Sequence, residues 1–197
     1  EAGGTKFVCA IGPSAQAIAE KTVILTTTPA ETFARVEEFF RSASVVHGAI
    51  RALGVASFGP IDIDPISPTY GTFTTTPKPD WSGARFQDAL GQMGVPILVD
   101  TDVNGAALGE WLHGAGQGCK TLAYTTVGTG IGTGVLHRGV ARGGIGHLEA
   151  GHIRPTRDPQ RDPFSGRCPF HRDCLEGLAS GPAIIDRWGE PLDRACA

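Results

Sequence analysis

Between Cys168 and Cys174 the chain reads Cys-Pro-Phe-His-Arg-Asp-Cys, three thiol or imidazole donors within seven residues. His152, at the end of His147-Leu-Glu149-Ala-Gly-His152, stands upstream as a fourth. Thiolate sulfur and neutral imidazole are preferred Zn²⁺ ligands, and four protein donors that leave no position for water make a closed, structural site. A Cys168–Cys174 disulfide or a satisfied buried histidine is the plainer reading of the same residues. The five cysteines (Cys9, Cys119, Cys168, Cys174 and Cys196) are odd in number and unevenly spread. Reduced thiols, rather than a disulfide framework, are therefore expected.

A second chemistry is written in Asp100-Thr-Asp102-Val-Asn104, which puts an acid where an apolar strand gives way to a helix. An aspartate there can cap the helix. It can also orient a hydroxyl and accept its proton as a phosphoryl group is transferred. Asp102 is the candidate general base, with Asp100 and Asp62 as fallbacks. Two glycine turns could cradle a phosphate with backbone N–H groups. One is Gly3-Gly4-Thr5-Lys6, and the other lies in Thr126-Val-Gly128-Thr129-Gly130-Ile-Gly-Thr-Gly134, with Gly128 to Gly134 read as the turn. Neither is a Walker loop, since no Gly-Lys-Ser/Thr follows, and the second does not fit the dinucleotide fingerprint.

The elements that must position these residues follow from periodicity. Lys6–Ile11 reads as a strand buried on both faces, with Ile18–Thr26 as its hairpin partner. Thr28-Pro29 starts a helix with Phe33, Val36 and Phe40 at helical spacing, ended by Ser42 to Ser44. Arg51–Ser57 is a strand, and the stretch rich in Pro, Thr and Gly between Pro60 and Pro79 is an extended loop of functional length. Ala84–Met93 is a short helix, Pro96–Val99 a strand, and Asp102–His113 a helix. Thr121–Thr126 and Val135–His137 form a second hairpin. Glycines 114, 116 and 118 mark a boundary, giving 1–117 and 118–197 as two related halves of an α/β protein around a cleft.

The 197 residues are 41% hydrophobic and 19% charged, as in an ordinary globular protein. A formal charge of -3 without a run of like charges gives no footing for nucleic acid. No apolar stretch reaches the ~20 residues of a membrane span and no signal peptide opens the chain, so a soluble cytoplasmic protein without a membrane partner is expected.

These motifs resemble the ROK family (repressor, open reading frame, kinase). Asp102-Val-Asn104-Gly-Ala106-Ala-Leu-Gly109-Glu110 is similar to that family's Asp-x-Asn-x-Ala-x-x-Gly-Glu segment, in which the aspartate is the general base. Gly151-His152 and Cys174-Leu-Glu176 are similar to its zinc signature, with His171 in place of a cysteine. Cys174-Leu-Glu-Gly-Leu-Ala-Ser-Gly-Pro-Ala183 resembles the fructokinase-type branch, as do Ser57-Phe-Gly-Pro-Ile-Asp62, Tyr70-Gly-Thr72 and Thr76-Pro-Lys-Pro-Asp-Trp81.

The resemblance implies the actin and hexokinase-like (ribonuclease H-like) ATPase fold, its C-terminal lobe incomplete. It implies structural Zn²⁺ on His152, Cys168, His171 and Cys174, and Mg²⁺ with ATP at Gly3, Gly4, Thr5, Lys6, Gly128, Thr129 and Gly130. Hexose contacts are implied at Gly59, Glu149, His152 and Glu176. The implied reaction is fructose phosphorylation. Thr101, where many glucose-specific members have Asn, favours fructose or mannose over glucose. A homodimer is expected of the full-length protein, and weak or absent ATP binding of these 197 residues alone. Alternatives are a glucokinase, mannokinase or N-acetylmannosamine kinase, the sugar-sensing domain of a repressor, and a metal-dependent hydrolase.

Overall fold

The structure is a computed structural model that describes residues 1–142 and 147–191. Cys196 lies outside the described residues. The chain forms two compact units, Glu1–Gly105 and Ala106–Ala197.

In the first unit, β1 (Lys6–Ile11) and β2 (Glu20–Leu25) form an antiparallel hairpin in which Lys6 faces Leu25 and Ile11 faces Glu20. Only Phe7 and Cys9 of β1 are buried, so the strand buries one face, not the two expected of it. An antiparallel pair can leave its other face in water, whereas burial on both faces belongs to sheets covered twice. Helix α1 (Pro29–His47) covers the buried face. The Thr28 side chain caps it by accepting from Glu31 N–H at 3.4 Å, and Pro29 occupies a first-turn position where its missing N–H costs nothing.

The serines expected to end α1 do not. The buried stripe Thr32, Phe33, Val36, Phe40 and Ala43 carries the helix through them, and it stops at Gly48, whose N–H donates to Ser44 O. Serine is only mildly unfavourable in a helix, so apolar burial outweighs it.

Strand β3 (Leu53–Ser57) pairs in parallel with β4 (Ile97–Thr101), Ser57 facing Thr101. Ala2 joins the two strand pairs. It bridges Phe7 on one side and Ser57 on the other, donating to Ala56 O and accepting from Phe58 N–H, both at 2.7 Å.

Phe7, Phe33, Phe58, Phe73, Trp81 and Phe86 form the aromatic centre of the core, in edge-on and tilted pairs 4.6 to 6.4 Å apart. Trp81 is fully buried, and its indole N–H donates to Thr27 O at 2.9 Å. The loop after β3 thus packs on the core from Phe58 to Phe86, the first residue of α2 (Phe86–Leu90).

Helix α3 (Asp102–His113) follows β4 without an intervening loop. In the second unit, β5 (Thr121–Val127), β6 (Ile131–His137) and β7 (Val140–Arg142) form an antiparallel meander. The turn between β5 and β6 is Gly128-Thr129-Gly130 alone. Gly132 and Gly134 sit in β6, opposite Thr126 and Tyr124, although Gly128 to Gly134 reads as turn in the sequence. Ladder pairing from Val127 and Ile131 onward overrides the turn preference of those glycines. Helices α4 (Leu175–Ala179) and α5 (Gly181–Trp188) close the described chain, and among the described residues no helix is long and apolar enough to cross a membrane.

Candidate active site

The junction of β4 and α3 collects the acids. Parallel pairing of β3 with β4 brings Ser57 level with Thr101, so Gly59 and Asp102 both follow the same carboxyl-end edge of the pair. Ligands of open α/β sheets bind at such edges. Thr101 is buried, and its hydroxyl accepts from Asn104 N–H at 3.1 Å, which makes Thr101 the cap of α3 and Asp102 the first helical residue. The capping reading of Asp102 therefore passes to its neighbour. Asp102, half-buried, accepts from Val103 N–H at 2.9 Å.

The two fallback acids have other work. Asp100 Oδ1 accepts from Asn104 Nδ2 and from Thr101 N–H, both at 2.7 Å. Asp62 accepts the hydroxyls of Ser67 and Thr69 at 2.6 Å each and the Asp64 N–H at 3.0 Å, closing its own loop. Those hydroxyls, Ser67 first, hold its carboxyl below the usual carboxylate range.

The Tyr70 hydroxyl donates to Val99 O at 2.9 Å and accepts from Val99 N–H at 2.6 Å, so the loop clamps the free edge of β4 just before the acids. The sequence carries no signal for that contact, which spans 29 residues. Gly59 lies next to the same loop, its carbonyl accepting from Thr76 Oγ1 at 3.4 Å.

Gly3 to Lys6 forms a tight turn, with Gly3 N–H donating to Lys6 O at 3.0 Å. Thr26 fastens it, donating its hydroxyl to Gly3 O at 2.7 Å and its N–H to Thr5 O at 3.0 Å. Thr5 and Lys6 are exposed. A cavity of about 860 Å³ in this unit lies between β1, β3 and the end of α1, and none of the predicted site residues lines it.

The second unit gathers the four metal donors. His152, Cys168, His171 and Cys174 place their ligand atoms within 4.8 Å of one another. His152 Nδ1 lies 3.5 Å from Cys174 Sγ and 3.8 Å from Cys168 Sγ, and His171 Nδ1 lies 3.9 Å from Cys168 Sγ. Bonds of 2.0 to 2.3 Å in a tetrahedron give edges of about 3.3–3.8 Å, which the two shortest separations match, and two thiols with two imidazoles are donors that Zn²⁺ accepts. Both sulfurs are buried, and burial pushes the Cys174 thiol up.

The knuckle is built by backbone. Cys168 and Arg172 exchange N–H to O bonds at 3.2 and 2.9 Å, and Leu175 N–H donates to Ile153 O at 2.8 Å, tying the upstream ligand segment to the downstream one. Gly177 packs so close that a Cβ there would meet Arg172 O at 1.8 Å.

The two remaining polar candidates divide. Glu149 Oε2 faces the other ring nitrogen of His152 at 3.6 Å, the placement of a carboxylate that orients a metal-bound imidazole. Its backbone is left-handed, φ +49°, which is uncommon for a residue with a Cβ. Glu176 Oε2 accepts from Ile131 N–H at 2.9 Å, beside the Gly128–Gly130 turn. The Glu176 contact is not readable from spacing, because its partner lies 45 residues away; Glu149 and His152 are only three residues apart.

The sequence profile of the ROK family matches residues 1–196. The fructokinase of Streptococcus mutans serotype c is 45% identical over 192 residues, which are 96% of this chain and 64% of that protein. The fructokinase of Zymomonas mobilis subsp. mobilis is 45% identical over 198 residues, 98% of this chain and 65% of that protein. The chain thus spans a little under two thirds of these curated relatives. Among solved structures, a ROK family glucokinase from Streptomyces griseus in complex with glucose and AMPPNP matches with a TM-score of 0.69 at 28% identity, over 93% of this chain and 56% of that one. The architecture is the expected α/β, hexokinase-like ATPase fold.

Proposed function

The chain belongs to the ROK family, and from that premise we propose that it is the part of an ATP-dependent hexose kinase that carries the catalytic base and a structural zinc site, with fructose as the sugar. The observation that carries the reading is the position of Asp102 on the first turn of α3, at the carboxyl edge of β3 and β4. Two fructokinases at 45% identity, against a glucokinase at 28%, support fructose over glucose.

In this mechanism the Asp102 carboxylate hydrogen-bonds the attacking sugar hydroxyl, orients it towards the γ-phosphate and takes its proton as the new P–O bond forms. Gly59, Glu149, His152 and Glu176 border the sugar. The backbone of Gly3, Gly4, Thr5, Lys6, Gly128, Thr129 and Gly130 faces the phosphates, whose accompanying Mg²⁺ neutralises developing charge. Residues 1–117 and 118–197 act as the two lobes.

Zn²⁺ held by His152, Cys168, His171 and Cys174 supplies rigidity, not reactivity, because four protein donors fill its tetrahedron. That argues against a metal-dependent hydrolase. The full-length enzyme works in the cytoplasm as a homodimer.

The test is ATP consumption by the full-length protein with fructose, mannose and glucose, in the wild type and in Asp102→Asn. The expected result is a preference for fructose and a fall in kcat of about 10²–10⁴-fold in the variant, with fructose affinity kept. Unchanged turnover in the variant removes Asp102 from the mechanism.

A further inference from the structure

The Gly128–Gly130 turn is held at both ends by the segment that follows Cys174. At one end, Gly181 N–H, at the start of α5, donates to Gly128 O at 2.8 Å. At the other, Ile131 N–H donates to Glu176 Oε2 at 2.9 Å. The fit is close: a Cβ on Gly130 would lie 2.6 Å from the same carboxylate oxygen.

Glu176 is the second residue of α4, and the cap of α4 is Cys174, whose sulfur accepts from Gly177 N–H at 3.4 Å. The sulfur that meets His152 therefore also sets where α4 begins, and with it where the Glu176 carboxylate points. The two ends of this path lie 45 residues apart in the chain but share one run of contacts.

We infer that Glu176 is a positioning residue for the glycine turn, and that the Cys/His cluster controls the conformation of that turn through Cys174, α4 and the Glu176 carboxylate. The family resemblance puts Glu176 at the sugar; the geometry puts one of its oxygens on the turn. Cluster and turn are thus mechanically one body. The catalytic meaning of this coupling rests on the reading of 128–130 as a phosphate turn, whereas the coupling itself rests on the contacts alone.

Amide hydrogen exchange at Ile131 tests it on the chain as it stands, without sugar or nucleotide. In the metal-loaded protein, Glu176→Ala is expected to speed exchange at Ile131 by about tenfold or more, as for loss of one hydrogen bond, while most of the β5–β6 ladder is unchanged. Glu176→Gln keeps a carbonyl acceptor and should stay within about threefold of wild type. Chelation by EDTA should speed Ile131 exchange in the wild type and add little in Glu176→Ala.

Gly130→Ala, which forces the carboxylate aside, should reproduce the Glu176→Ala rate and add nothing when combined with it. Unchanged Ile131 exchange in folded Glu176→Ala overturns the positioning role. A full EDTA effect persisting in Glu176→Ala overturns the route through the carboxylate. Absence of fructose phosphorylation in the full-length protein would sink the kinase reading and leave these exchange results standing, so the two failures are distinguishable.

Discussion

At the scale of single residues, some carboxylates of the described part of the protein hold structure through ion pairs and hydrogen bonds. Asp162 is one of them. Arg187 reaches both its oxygens at 2.8 and 2.9 Å while its guanidinium lies 4.4 Å over the Phe164 ring. The Arg187 hydrogen bonds, first among the causes, hold the Asp162 carboxyl below its usual range. Its stabilisation is therefore complete above the unfolded pKa of about 3.9 and is lost as pH falls through the lower folded value. Melting curves from pH 7 to about pH 2 should show Asp162→Asn less stable than wild type at neutral pH and equal to it at the acid end. A gap that persists at the acid end would mean that packing, not ionisation, holds that corner. On the proposed zinc reading, Cys174→Ser should remove Zn²⁺ from the purified protein, read as one equivalent lost in elemental analysis, because a hydroxyl is a far poorer ligand than a thiolate.

At the scale of elements, β4 runs directly into α3, and the pairing of β4 with β3 decides where Asp102 stands. Thr101 caps the helix and Tyr70 clamps the strand edge, so both bear on where Asp102 stands. Thr101→Val removes the cap and should cost about 1 kcal/mol in urea unfolding. Tyr70→Phe leaves the Val99 N–H and C=O without their partner and should cost about 1–3 kcal/mol, with kcat in the full-length enzyme falling more than the stability loss explains. If Tyr70→Phe leaves both stability and kcat at wild-type values, the clamp has no part in placing the base. These contacts were hidden in the sequence for a simple reason. The helix and strand periods report which face is buried, but a tyrosine hydroxyl that bonds a strand 29 residues away leaves no periodic trace.

At the scale of the whole molecule, the two units draw stability from different sources. Glu1–Gly105 has an aromatic core around Trp81, while among the described residues of Ala106–Ala197 the Cys/His knuckle ties the segment of His152 to that of Cys168 and Cys174. A structural metal can supply folding free energy to a domain outright. Chelation with EDTA should therefore increase hydrogen exchange through 147–191 and leave Phe7, Phe33 and Val99 protected, since binding free energy of a structural zinc is folding free energy. Uniform loss of protection in both units would show instead that the metal supports the chain as one cooperative body.

What the amino-acid order determined by itself was local and periodic. It set the hairpin of β1 and β2, the cap at Thr28, the helix beginning at Asp102, and the Cys-x-x-His-x-x-Cys spacing of the knuckle, because each rests on residues within a turn or two of one another. Tertiary structure decided the rest. It stopped α1 at Gly48 instead of among its serines, confined the glycine turn to Gly128–Gly130, and set the Tyr70 hydroxyl on Val99 and Glu176 on Ile131. Those outcomes depend on competition between distant surfaces for burial and for hydrogen-bond partners, and that competition is resolved only when the chain has folded.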